Sequence, residues 1–385
     1  MTFEQAKTQS KHSSSTEIWA ALALVLLSLT ISLTIAEFGI RLLIDAESQK
    51  HLPHFGISEE LQSRLKGAER VKHKEKSGTT SYPGSFDIHD PYLGWRVREN
   101  ANVRHINPGL YEVSIKTNAF GLRGTYPSNL EKPADVKRIG VFGDSQTFGE
   151  TVNDHETYIS LLNEKLPNTE VLNFGVRGYG VDQMLLYFEQ EAAKYDLDIA
   201  VLAFGPYHIR RNVTSFLFSA KPYFTIIDNS LELNGIPVPT PEQLDAEDIT
   251  QQSWQLVDRS VLLRWIWQRV RNLKNRWLFS KYGHGWELTG ALLTRFVTSA
   301  KAANTDVLLV NIGERYPDLE NEIDHLAKNL SVDFINLGTT FRSAANEGIP
   351  YVLPNDSHWT YRGHIIVADT LYSYFCDKIE PINCE

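Results

Sequence analysis

The sequence predicts an α/β fold, a parallel sheet covered by helices on both faces, preceded by one membrane-spanning helix. Two observations carry the sheet and a third the anchor. From Val136 onward, five short apolar runs appear: "RIGVFG", "EVLNFG", "IAVLAFG", "DVLLVNIG" and "VDFINLG". Strands that are apolar throughout are buried on both sides, which is the mark of a parallel sheet. Between and after these runs lie helix-like segments such as "YISLLNEKL", "QMLLYFEQEAAKY", "LENEIDHLAKNL" and "GHIIVADTLYSYF". Such alternation is how parallel strands are connected.

The anchor is the uncharged stretch Ile18–Ala36, "IWAALALVLLSLTISLTIA". As a helix its residues span roughly 28 Å, close to the hydrocarbon thickness of a bilayer. A cleaved signal peptide is the rival reading, since Thr34 and Ala36 are small. The run is longer than the usual signal core of about 7–15 residues, which favours an uncleaved anchor. Lys7 and Lys11 precede it, whereas Glu37, Arg41 and Asp45 follow. This places the N-terminus in the cytoplasm and the remainder in the periplasm or outside the cell.

Residues 1–45 are therefore read as a cytoplasmic tail and anchor, and 46–84 as a polar stalk carrying Lys66, Arg70, Lys72, Lys74 and Lys76. Residues 85–135 alternate like strands and contain Gly, Pro and Asn turn signals, so a small β-rich lead-in is expected. The main domain is 136–385, interrupted by an insertion at 215–290. The insertion opens with "FTIIDNSLELNGIPV", a hairpin with Asn234-Gly235 as a later turn. It continues in "VDRSVLLRWIWQRVRNLKNRWL". There Leu262, Ile266, Val270, Leu273 and Trp277 have helical spacing, with a basic opposite face. Packing of this stripe on the main domain is expected; a membrane-surface or sugar-stacking role is the alternative.

Length and composition narrow the function. A chain of 385 residues can bury a full core and carry an extra module. Its formal net charge of −9 argues against nucleic acid as a partner. No CxxC, HExxH or glycine-rich phosphate loop is present, so neither a metal nor an organic cofactor is expected. The two cysteines, Cys376 and Cys384, both lie in the C-terminal tail, where a bridge would pin the chain end in an oxidising compartment.

Candidate chemistry begins at Gly143-Asp144-Ser145, directly after the first strand. Ser145 is either a nucleophile or the cap of the next helix. In an open parallel sheet the carboxyl ends of the strands are where ligands bind, and Ser145 falls there. Gly178, in the loop after the second strand, lets backbone approach a substrate closely. Near the C-terminus "LPNDSHWTYRGH" places Asp356 and His358 two residues apart, on one side of an extended segment. Asp356 can then hold the imidazole of His358.

Together these pieces resemble the SGNH/GDSL hydrolase superfamily. Gly143-Asp144-Ser145 is similar to its first block, Asn173 and Gly178 in "NFGVRG" to its second, and Asp356 and His358 in "NDSHW" to its last. The resemblance covers roughly Arg138 to Phe375 without the insertion. It implies a flavodoxin-like three-layer sandwich, ester hydrolysis or acyl transfer, a Ser145–His358–Asp356 triad, and Gly178 as an oxyanion donor. Two departures stand out. The third block reads "FGPYHIRRN", with Tyr207 where the family has an oxyanion asparagine. Losing such a donor costs on the order of 10²–10³ in rate, unless the Tyr207 hydroxyl or Asn212 replaces it. Asn355 occupies the usual place of the triad acid, three residues before His358. An Asp356-x-His358 pair, as in polysaccharide O-acetylation proteins, is the preferred alternative. His364 is expected to pack at the start of the last helix, and His155 and His208 are weaker candidates.

The first functional reading is a membrane-anchored serine esterase acting on an acylated envelope glycan or a similar small ester. An O-acyltransferase to a polysaccharide would use the same triad. A weakened ligand-binding homologue is the reading from a different class.

Overall fold

A computed structural model describes residues 3–46, 48, 52, 86–124, 130–217, 219–240, 243, 259–278, 280, 283–313 and 317–378. The stalk cations and Cys384 lie outside them. The first helix, α1 (Phe3–Leu43), contains the apolar stretch. Two antiparallel hairpins follow: β1 (Asp87–Asp90) with β2 (Gly94–Val97), and β3 (Asn102–Asn107) with β4 (Tyr111–Lys116). They form the β-rich lead-in.

The main domain then runs β5 (Lys137–Gly143), α2 (Ser145–Phe148), α3 (Tyr158–Lys165), β6 (Thr169–Gly175), α4 (Val181–Gln190), β7 (Ile199–Phe204) and α5 (His208–Asn212). In the insertion stand a hairpin, β8 (Tyr223–Ile227) with β9 (Ser230–Asn234), and α6 (Val261–Leu278). The chain closes through α7 (His284–Ala302), β10 (Asp306–Asn311), α8 (Pro317–Leu330), β11 (Asp333–Asn336), α9 (Leu337–Asn346) and α10 (Tyr361–Lys378).

The five apolar runs are β5, β6, β7, β10 and β11, and they form one parallel sheet in the order β11-β10-β7-β5-β6. Renumbered from β5, this is 2-1-3-4-5, the flavodoxin-like order. Strand order reverses between β5 and β7, whose register aligns Ile139 with Ile199 and Phe142 with Leu202. A crevice opens at the carboxyl ends of the strands flanking such a switch point. Ser145 stands just beyond the end of β5.

Both faces of the sheet are buried, and alternate residues divide between them. Phe142, Leu172, Phe174, Leu202 and Leu309 face one core with Met184 and Leu185 of α4 and Leu292 and Phe296 of α7. Ile139, Val141, Val171, Val201 and Val310 face the other, with Leu162 of α3, Phe341 of α9 and Leu371 of α10. The result is a three-layer α/β/α sandwich. This double burial is why the strands read as unbroken apolar runs. The lead-in joins the first core through Phe86, Leu93, Trp95 and Ile115.

The chain divides into two compact units: 1–58 with 249–274, and 59–248 with 275–385. The smaller holds α1 and most of α6; the larger holds the lead-in and the sandwich. α6 begins and ends within one residue of the apolar stripe expected for it. The stripe, however, is not packed into a core: Val270 is 50 % exposed, Leu273 65 % and Trp277 60 %. Helical spacing reveals which residues share a face, but not what covers that face.

Candidate active site

Gly143 ends β5, and any larger residue would fail there. An added Cβ would lie 1.9 Å from the Thr147 hydroxyl, so glycine lets α2 fold back directly against the strand. Asp144 caps α2 by accepting the Gln146 N–H at 3.0 Å. The capping role therefore belongs to Asp144, and Ser145 is the first helical residue with its side chain free for other use.

Ser145 Oγ lies 2.7 Å from His358 Nε2, and His358 Nδ1 lies 2.6 Å from Asp356 Oδ1. The same Asp356 oxygen accepts the His358 backbone N–H at 2.8 Å, which fixes the turn that brings the two side chains together. Asn355 is exposed and adopts a left-handed backbone with φ +58°; Asp356 is the acid that reaches the ring.

Gln146 stabilises this arrangement from the side of Ser145. Its Nε2 donates to the Ser357 carbonyl at 2.7 Å, and its Oε1 accepts the Trp359 N–H at 3.0 Å. The Thr151 hydroxyl donates to the Trp359 carbonyl at 2.7 Å. His358 is thus clamped on both flanks.

Gly178 sits in the loop after β6 with φ +78°, a conformation that favours glycine. Among the described residues, no hydrogen bond engages the backbone N–H of Ser145 or of Gly178. Asn173 anchors the turn behind them, accepting the Gly175 N–H at 3.0 Å and donating to the Thr147 carbonyl at 3.1 Å.

The two other oxyanion candidates are placed differently. Asn212 is fully buried, with Oδ1 accepting the Val181 N–H at 2.8 Å and Nδ2 donating to Thr289 Oγ1 at 2.8 Å. Its amide is engaged in holding α4 and α7, so it is not free to meet a substrate. The Tyr207 hydroxyl is buried without a hydrogen bond of good geometry. Its ring lies 4.4 Å from that of His208 and 5.0 Å from the Arg211 guanidinium. Burial first, and then the nearby Asp144 carboxylate, push its ionisation far above the ordinary range. This phenol remains neutral and its hydroxyl is covered.

A buried charge network surrounds Ser145, His358 and Asp356 and was not legible in the sequence. Glu150 Oε2 lies 3.7 Å from His358 Nε2, while Oε1 meets Arg177 Nη1 at 3.1 Å and His105 Nε2 at 3.3 Å. Burial opposes the charge on Glu150, but the His105 hydrogen bond, Arg177 and His358 outweigh it and bring the pKa down to about 2. Arg177, the residue before Gly178, also pairs with Asp87 of β1 and lies 3.9 Å above the Phe86 ring. Trp95 Nε1 donates to the Arg177 carbonyl at 2.9 Å. The lead-in therefore supports the Gly178 loop. The one local hint was an arginine inside a glycine-rich turn, "GVRGYG".

Arg123 is buried and binds the carbonyls of Phe148 and Val152 at 2.9 and 2.7 Å, fastening the loop after α2. Asp144 is held far below the usual carboxylate range: burial opposes its charge, but Arg211, His208 and the Gln146 N–H prevail. His208 is fully buried, accepting the Gly205 N–H at 2.9 Å. His364 is buried at the start of α10, where its Nδ1 accepts the Tyr158 N–H at 3.2 Å. His155 is exposed. No group of three or more His, Cys, Asp or Glu suited to a metal occurs among the described residues. A recess lined by Val136, Lys165, Pro167 and Tyr372 lies at the other, amino-terminal end of β5 and β6.

No family model matches the chain, and no curated protein matches it. Several solved structures of lipolytic proteins and esterases resemble it. A lipolytic protein of the G-D-S-L family from Veillonella parvula is 14 % identical, with TM-score 0.39, covering 63 % of this chain and 100 % of its own. An acetyl-xylooligosaccharide esterase from Geobacillus is 13 % identical, with TM-score 0.40, covering 66 % and 100 %. A lipase/acylhydrolase from Enterococcus faecalis is 12 % identical, with TM-score 0.39, covering 64 % and 98 %.

Proposed function

We propose that this chain is a serine ester hydrolase working through Ser145, His358 and Asp356. The observation that carries this reading is the unbroken hydrogen-bonded chain from Asp356 through His358 to Ser145, at the switch point of the sheet. Ser145 Oγ attacks the acyl carbonyl while His358 Nε2 takes its proton. The tetrahedral oxyanion meets the N–H groups of Ser145 and Gly178, which have no competing partner among the described residues. Collapse expels the alcohol, which leaves with the proton from His358, and Ser145 keeps the acyl group. Water then attacks the acyl-enzyme by the same route, releasing the acid and restoring Ser145. Asp356 holds the ring and stabilises the imidazolium formed in each half.

The substrate class proposed is a small acyl ester, such as an O-acetyl group on an envelope glycan. The site is proposed to lie outside the cytoplasm, tethered by Ile18–Ala36. Two observations support this placement: Glu17–Leu43 is a helix long and apolar enough to cross a membrane, its most apolar stretch having mean hydropathy 2.3 and no buried residue, and Cys376 is disulfide-bonded. The test is hydrolysis of 4-nitrophenyl acetate and of an acetylated oligosaccharide by the full chain, with Ser145→Ala as control. Release of acetate that survives Ser145→Ala rules the reading out.

A further inference from the structure

The helix α6, most of which lies in the smaller unit, carries a surface that Ser145, His358 and Asp356 do not use. α6 carries Arg264, Arg269, Arg271, Lys274 and Arg276 and no acidic residue, although the whole chain has a net charge of −9. At about 100° per residue, Ile266, Val270, Leu273 and Trp277 fall within an arc of about 60°. All four are among the exposed large apolar residues. Arg269 and Arg276 flank the stripe on one side and Lys274 on the other, each within about 60° of its edge. An apolar stripe edged by long cations suits an acyl-chain boundary beneath phosphate headgroups, where the side chains reach up to the charge.

The start of α6 is bound to the outer end of the anchor. Glu37 is the first charged residue after Ile18–Ala36. Its carboxylate accepts the N–H groups of Val261 and Leu262 at 2.9 Å each and the Ser260 hydroxyl at 2.7 Å. Arg41 adds a bond from Nη2 to the Arg259 carbonyl at 2.6 Å, and Arg264 bonds to the Leu52 carbonyl. The residue at which the chain leaves the hydrocarbon thereby caps the helix.

We propose that α6 lies on the membrane surface beside the anchor, with Ile266, Val270, Leu273 and Trp277 among the acyl chains and its flanking cations on anionic lipid phosphates. This inference rests on the proposed membrane anchor. It does not depend on the esterase chemistry. Charge selects the occupant: a helix with five cations and no carboxylate matches an anionic leaflet and repels a second copy of itself.

The experiment uses the full chain with its disulfide intact, reconstituted in phosphatidylglycerol or phosphatidylcholine vesicles. An environment-sensitive fluorophore is placed at Leu273→Cys and, as control, at exposed Asn272→Cys, about 100° around the helix. Flotation first shows whether the chain is anchored. The expected result is a blue-shifted Leu273 probe, quenched by brominated lipid at least about twofold more than the Asn272 probe, and more strongly in the anionic vesicles. A chain that does not float overturns both the anchor and this inference. A chain that floats while the Leu273 probe stays in water overturns the inference alone. A blue-shifted probe that brominated lipid does not quench means that protein covers the stripe, which also overturns it. Equal quenching in both lipids overturns the assignment of the cations to phosphates.

Discussion

Gln146 and Trp359 share a hydrogen bond, Trp359 N–H to Gln146 Oε1 at 3.0 Å, that fastens the loop bearing His358 to the residue after Ser145. With the Gln146 Nε2 bond to Ser357, it fixes the backbone on both sides of His358. A catalytic base must be held to within a fraction of an ångström, and a displacement of about 1 Å can cost about 10²-fold in rate. Gln146→Ala is therefore expected to lower kcat by about 10–10²-fold with little change in KM. Steady-state kinetics on 4-nitrophenyl acetate measure both; an unchanged kcat would show that other contacts hold the loop.

Tyr207 now carries a different expectation from the one its position in the sequence suggested. An oxyanion donor must reach the substrate, and this hydroxyl is buried beside Asp144. Tyr207→Phe should leave turnover within about twofold of the parent, instead of losing about 10²-fold. It should also leave stability unchanged or raise it by about 1 kcal/mol, because an unsatisfied buried hydroxyl is removed. A large fall in kcat at unchanged Tm would place the phenol in the reaction.

Glu150 links stability to acid. Its carboxyl ionises near 2 in the fold, against an ordinary 4.5. A lowered carboxylate pKa stabilises the fold above about pH 4.5, and that contribution is lost as pH falls toward 2. Glu150→Ala removes the carboxylate that Arg177 and His105 share, leaving Arg177 its pair with Asp87, and should destabilise the chain by about 1–3 kcal/mol at pH 7. The difference from the parent should shrink steadily below pH 4.5. Urea denaturation across this range reads both quantities.

His364 has a separate pH signature. Burial first, then the nearby charges of Arg123 and His358, bring its pKa down to about 3. The unfolded chain binds a proton near pH 6.5 that the folded chain does not, so stability falls as pH drops from 6.5 toward 3. His364→Gln should remove up to about 1.4 kcal/mol per pH unit from the slope of stability in that window. An unchanged slope would mean that the ring is already charged in the fold.

The sheet was legible because its strands are buried on both faces, which leaves a local apolar signature at each of the five. That Ser145, His358 and Asp356 would lie within hydrogen-bonding reach of one another was legible for a similar reason: each lies in a short block whose spacing has chemical meaning. The pairing of Arg177 with Glu150 and Asp87 was not, since its members come from the lead-in, the loop after α2 and the loop after β6. No local pattern marks an ion pair formed across such distances. Asn212 was offered as an oxyanion donor because an amide shortly after the third strand of the sheet looks available until its partners, Val181 and Thr289, are known. The stripe of α6 shows the same limit, since periodicity places Leu273 on a face without naming its neighbour.

The central claim is that Ser145 is a nucleophile activated by His358, and covalent labelling tests it most directly. The full chain is treated with a fluorophosphonate, digested and read by mass spectrometry, alongside Ser145→Ala and His358→Ala. A single adduct on the peptide carrying Ser145, absent from Ser145→Ala and strongly slowed in His358→Ala, is the predicted result. No adduct on the folded chain, or one that persists after Ser145→Ala, would contradict it.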